Sequence, residues 1–114
     1  MQDIFIEDAR IVKTKNDIKK AMIKLLTEKN YDKITVKDIC TEAKISRATF
    51  YNQFNGKNDY VKKYRRTVIK KMTRVIAKDD RTNPENLLNK LLTLITRQEE
   101  LFLMLISMNR STEV

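Results

Sequence analysis

The chain contains no histidine and no tryptophan, and only one cysteine, one glycine and one proline in 114 residues. Without histidine, and with Cys40 as the single thiol, it lacks the side chains that hold most transition metals, so neither a metal nor a cofactor is expected. The same scarcity argues against an enzyme, since there is no Gly-rich phosphate loop, no nucleophile paired with a base and no convergent group of carboxylates. One cysteine cannot close an internal disulfide, and the opening MQDIFIEDARIVK has early acids and no apolar core of signal-peptide length. No stretch reaches the roughly 18 consecutive apolar residues that cross a bilayer. A cytoplasmic location is the resulting expectation. Scarce glycine and proline also exclude collagen-like and linker-like chains. With 41% apolar and 34% charged residues and no alternating β-branched run, the composition predicts a globular, all-α protein.

Positive charge is abundant and unevenly placed. Residues 1–78 hold 20 Lys/Arg against 9 Asp/Glu, whereas residues 79–114 hold 4 against 6. A surface of that kind suits a polyphosphate or an anionic membrane.

Helical spacing organises the chain. Thr14-Lys15-Asn16-Asp17 predicts a helix start, followed by one apolar face of Ile18, Ala21, Met22, Leu25 and Leu26 that ends near Asn30. A turn at 30–33 follows. Thr35 is the next cap, with Asp38 three residues on, and Val36, Ile39, Cys40 and Ala43 stand at i, i+3, i+4, i+7. Lys44 and Ile45 make a tight joint. Ser46 caps a third helix over about 46–54, on which Phe50 and Phe54 share one face while Ala48, Asn52 and Asn55 point the opposite way. Thr49 and Tyr51 stand on the shoulders. A tyrosine outside an aromatic face already supplied by two phenylalanines suggests a phosphate contact rather than packing. Gly56, the only glycine, is expected to close that helix.

A fourth helix is predicted over 57–78, with Tyr60, Tyr64, Val68, Met72, Val75 and Ile76 as its apolar stripe and lysines and arginines elsewhere. Its cations read as a solvated face rather than a further polyphosphate contact, and its tyrosines as interior. After a polar break at 79–82, Asn83-Pro84-Glu85 starts a fifth helix rich in leucine. A last helix is expected from about Arg97. Its run Leu101-Phe102-Leu103-Met104-Leu105-Ile106 is apolar all round, which predicts burial in a core or an oligomer interface.

Two short helices across a tight joint, in a cationic chain, form the pattern of a helix-turn-helix. Thr35-Val36-Lys37-Asp38-Ile39, Ala43-x-Ile45-Ser46 and above all Thr49-Phe50-Tyr51-x-x-Phe54-x-x-Lys57 resemble the TetR family of bacterial transcriptional regulators over about residues 8–64. The lead-in Asp8-x-Arg10 with Thr14-Lys15 looks like one branch of that family. The resemblance implies a three-helix DNA-binding head at 8–56 and, at 57–114, a linker helix with one or two helices of a regulatory, dimer-forming domain that looks truncated. It implies that the third helix enters the major groove, most simply as a repressor. Lys37, Arg47, Ala48, Thr49 and Asn52 would then approach bases, and Thr35, Tyr51 and Lys57 would hold phosphates, with Lys44 and Ser46 beside them. The implied partners are double-stranded DNA and a second copy of the chain through residues after 79, with an unknown small-molecule effector and no membrane. Lys44 departs from the family pattern, which usually has glycine in the turn. Two rival functions stay open: an interaction protein that pairs with a longer relative, and a cationic binder of membrane surfaces.

Overall fold

The computed structural model describes residues 9–112, which divide into two compact units on either side of the Lys57–Asn58 bond. All regular structure among the described residues is helical: α1 (Ala9–Glu28), α2 (Val36–Ala43), α3 (Arg47–Tyr51), α4 (Lys57–Lys78), α5 (Pro84–Thr93) and α6 (Glu100–Thr112).

In the first unit, α1 buries Ile18, Ala21, Met22 and Leu25, the face expected from their spacing, and packs on α2. It begins five residues before Thr14, however. Arg10 to Lys13 contain no breaker, half-buried Ile11 extends the same face by two turns, and Asp17 pairs with Lys13 at 2.7 Å across one turn instead of sitting beside a cap. Asp8, the first residue of the quoted lead-in, lies outside the described residues, and Arg10 is on α1.

The segment after α1 is a 3-10 turn, Tyr31–Lys33, that delivers Ile34 to the core at 1% exposure. Thr35 then caps α2 by the reciprocal pair of bonds expected. Its Oγ1 accepts from the Asp38 N–H at 3.0 Å, and its own N–H donates to Asp38 Oδ2 at 3.0 Å. At the other end Lys44 adopts φ 60°, ψ 45°, and the N–H of Ile45 closes back on the Cys40 carbonyl at 3.0 Å. The left-handed joint is therefore made by lysine.

Ser46 caps α3, its Oγ accepting from the Thr49 N–H at 3.0 Å. Regular α-helix ends at Tyr51, but bonds from Asn52 N to Ala48 O and from Phe54 N to Phe50 O carry the helical path to Phe54. Phe50 (0% exposed) and Phe54 (4%) fix its rotation, with ring centroids 5.5 Å apart. Gly56 does not close this helix in the left-handed region. It has no positive φ and stands immediately before α4, where an added Cβ would meet nothing within 4 Å.

In the second unit α4 has the expected bounds and buries Tyr60, Val61, Tyr64 and Val68, whereas Ile76 at the end of the stripe is 37% exposed. The two tyrosine rings stack at 6.1 Å. Burial raises the pKa of both phenols, and the carboxylate of Glu99 adds to that, so both stay protonated. Asn83 caps α5 as its sequence indicates, Oδ1 accepting from Glu85 N at 3.0 Å and Asn86 N at 3.4 Å.

The last helix starts at Glu100, later than expected, because a π-turn, Leu94–Gln98, separates it from α5. Glu99 ends this turn at φ −128° and is wholly buried. Its Oε1 accepts from the Tyr64 hydroxyl at 2.8 Å, and its Oε2 meets the Lys71 ammonium at 2.5 Å. The apolar run of α6 is only partly covered. Leu101 and Leu105 are buried, while Leu103 (39%) and Ile106 (44%) are exposed, because i, i+4 spacing presents only one side to the remainder of the unit. No residue of α5 is buried.

Candidate nucleic-acid interface

Phe50 and Phe54 pull one side of α3 into the core, and the opposite side is turned outward. Arg47, Ala48, Tyr51 and Asn52 are exposed, Tyr51 by 51%, with its ring edge against Phe50 at 5.4 Å. Thr49 is half-buried, its hydroxyl 2.9 Å from that of Ser46. Those two hydroxyls and the Thr49 N–H form a small closed set at the helix start. One hydroxyl hydrogen is left over for an external acceptor. Lys37 and Lys44 are exposed on α2 and its joint, and Thr35 is exposed at its start.

The electrostatics of this face depend on where the acids of α2 go. Asp38 receives the Lys29 ammonium at 2.9 Å, and Glu42 meets Lys24 at 3.2 Å, so both carboxylates are tied to the basic residues around α1. The bond from Lys29, then that from the Thr35 N–H, lowers the Asp38 pKa to about 2. Lys37, Lys44 and Arg47 have no acid partner among the described residues, so they set the sign of the outward field. Lys24 and Lys29 therefore belong to the site's electrostatics although the sequence pattern does not single them out; both partners lie on another element, at separations no local motif encodes.

Lys57 is placed differently from the others. Its ammonium turns into the protein and donates to the carbonyls of Tyr31 (2.5 Å) and Ile34 (2.7 Å), 4.2 Å from the centre of the Tyr31 ring. Burial lowers its pKa, opposed by the nearby Asp32 carboxylate. Cys40 lies buried behind the site, its thiol pKa raised by burial, and its Sγ is 3.9 Å from the Ser46 carbonyl. It serves as the small core residue that its position on the apolar face suggests.

The left-handed joint gives a direct test. Lys44→Gly is expected to raise stability by about 0.5–1 kcal/mol, because glycine occupies positive φ without the Cβ conflict. Thermal denaturation reads this; a lowered Tm would mean that the joint is not strained.

A capped two-turn helix, a tight left-handed joint and a second short helix with a polar outer face define the helix-turn-helix class of nucleic-acid-binding modules. Comparison with known proteins agrees with that class. Residues 18–62 match the family described as bacterial regulatory proteins, tetR family. The chain is also similar to an uncharacterized HTH-type transcriptional regulator, YxbF, of Bacillus subtilis (strain 168), with 40% identity over 53 residues. That stretch is 46% of this chain and 14% of the relative. No solved structure matches the chain. The likeness to the tetR family is thus confined to residues 18–62, the helix-turn-helix and its flanks. Among the described residues, no helix is long and apolar enough to cross a membrane.

Proposed function

We propose that the chain is a DNA-binding transcriptional regulator that lays α3 in the major groove of duplex DNA. The observation that carries this reading is the outward face of α3 and its joint: exposed Arg47, Ala48, Tyr51 and Asn52 over buried phenylalanines, with both acids of α2 neutralised elsewhere. Lys37, Arg47, Ala48, Thr49 and Asn52 approach base edges. Thr35, Lys44, Ser46 and Tyr51 hold phosphates, and Lys57 acts from behind by bracing the turn before α2. Asn offers a bidentate pair to adenine, and Lys or Arg to guanine. Hydroxyls and exposed lysines suit phosphate, which fixes register. Occupying a promoter in this way makes repression the assigned output, in the cytoplasm where the DNA is. The relative's description as a transcriptional regulator supports the same role.

A homodimer through residues after 79 accompanies this proposal. Leu88 (55% exposed), Leu92 (49%), Leu103 and Ile106 are apolar side chains that a second copy could cover. Two such heads would read an inverted repeat.

Two substitutions test the assignment of roles. Tyr51→Phe is expected to weaken binding to all duplexes alike, because a phosphate contact carries no sequence information. Asn52→Ala is expected instead to change preference at one or two base pairs, by about 1–3 kcal/mol each. Selection of binding sites from a random duplex library, followed by titration, separates these. An Asn52→Ala protein that selects the same sites with the same affinity would remove Asn52 from the reading face.

A further inference from the structure

We infer that the outer ridge of α4, formed by Lys62, Arg66, Lys70 and Arg74, is a second docking surface for the phosphate backbone of duplex DNA, separate from the bases read by α3. The inference rests on the DNA-binding role proposed above, and its test is chosen so that the two can fail apart.

The four residues recur at i, i+4 on one side of a single helix and are all exposed. Spaced by one turn, they make a row of cations about 18 Å long. Two other lysines of α4 show what an internally satisfied cation looks like here: Lys63 pairs with Asp59 at 3.3 Å and Lys71 with Glu99. None of the four ridge residues has an acid partner among the described residues. After Asp59 the helix contains no acid at all up to Lys78, so each ridge residue has another cation as its i+4 neighbour. Like charges at that spacing destabilise a helix, and a face that only meets water gains nothing from excluding glutamate. A polyanion removes the conflict and gains from the counterions it releases.

The occupant follows from what the remainder of α4 is doing. Its apolar side is committed inside the protein through Tyr60, Val61, Tyr64 and Val68. It is therefore not available to enter a lipid headgroup layer, as an interfacial helix must. Isolated Ile69 and Ile76 on the outer side do not replace it. A phosphate backbone needs only cations.

The test is titration of a random 60-base-pair duplex by fluorescence anisotropy at several salt concentrations, comparing the full chain with Lys62→Gln/Arg66→Gln/Lys70→Gln/Arg74→Gln. All four positions are exposed, and the variant should melt no lower than the unsubstituted chain, which thermal denaturation checks. The expected result is at least a tenfold loss of affinity at low salt, with the slope of log K against log salt reduced by about 3–4. Because that slope counts cations seated on phosphates, a general fall in net charge does not reproduce it. Equal affinity and slope in the two proteins overturn the ridge alone and leave the α3 reading in place. No duplex binding by the unsubstituted chain overturns both. Co-sedimentation with phosphatidylserine vesicles that the variant loses, while its duplex binding is unchanged, overturns the proposal in favour of a membrane surface.

Discussion

Replacing Lys57 with methionine is expected to destabilise the first unit by about 1–3 kcal/mol while leaving the salt dependence of DNA binding unchanged. Methionine keeps most of the aliphatic length but supplies no donor. The Tyr31 and Ile34 carbonyls, now 2.5 and 2.7 Å from the ammonium, would lose their charge-assisted partner, and Ile34 is 1% exposed, so water replaces it poorly. The contact with the Tyr31 ring adds about 0.5–1 kcal/mol. Half-burial of Tyr31 and of Lys57 itself keeps the total at the lower end of what two orphaned carbonyls can cost. The turn held by these bonds leads directly into Thr35 and the capping box of α2, so affinity should fall through loss of a pre-formed helix-turn-helix. A lysine seated on phosphate predicts a different result, with little change in stability and a slope smaller by about 0.9. Urea denaturation and a salt series on the same variant distinguish the two. An unaltered midpoint with a reduced slope would return Lys57 to the phosphate. Lys57→Arg should rescue poorly, because a planar fork does not fit two carbonyls placed around a compact ammonium.

What the sequence made legible was local. Thr35 with Asp38, Ser46 with Thr49 and Asn83 before Pro84 each define a helix start through atoms within three residues, and all three caps are present. The outward set on α3 was legible because Phe50 and Phe54 fix the helix rotation, which leaves Arg47, Ala48, Tyr51 and Asn52 on the opposite side. The start of α1, at Ala9 rather than after Thr14, is hidden for a related reason. Thr14 is a competent cap residue, but an unbroken stretch with apolar Ile11 before it favours continuing the helix over starting it there. Gly56 stands out by residue type alone, and its backbone does not use the freedom that glycine offers; among the described residues the positive-φ positions fall to Lys44 and Arg81. The direction of Lys57, the neutralisation of Asp38 and Glu42 and the burial of Glu99 all depend on partners nine to thirty-five residues away. No spacing rule reaches that far, and a charged residue in isolation reads as surface.

Glu99→Ala is the substitution expected to disturb the second unit most, by about 2–4 kcal/mol. The carboxylate is wholly buried and holds two groups from α4: the Tyr64 hydroxyl at 2.8 Å and the Lys71 ammonium at 2.5 Å. The Tyr64 oxygen in turn accepts from the Phe102 N–H at 3.1 Å, so one carboxylate ties α4 to the start of α6. Its removal leaves a buried phenol hydrogen without its acceptor and opens a cavity. The Lys71 side chain is 37% exposed and can turn to water, which keeps the loss below that of breaking a fully buried ion pair. Glu99→Gln retains an acceptor for Tyr64 and should cost about half as much, since only the charge assistance is lost. Tyr64→Phe should cost about 1–2 kcal/mol, less than Glu99→Ala, because the Phe102 N–H also donates to the Glu99 carbonyl at 3.0 Å and is not orphaned. The order Ala, then Gln and Phe, read by urea denaturation with a probe in the second unit, distinguishes a buried tie from an incidental surface pair. If Glu99→Ala stays within about 0.5 kcal/mol of the unsubstituted chain, the carboxylate is not what joins α6 to α4. The π-turn at Leu94–Gln98 would then need another cause, because at present its evident effect is to end at Glu99, whose side chain reaches Tyr64 and Lys71.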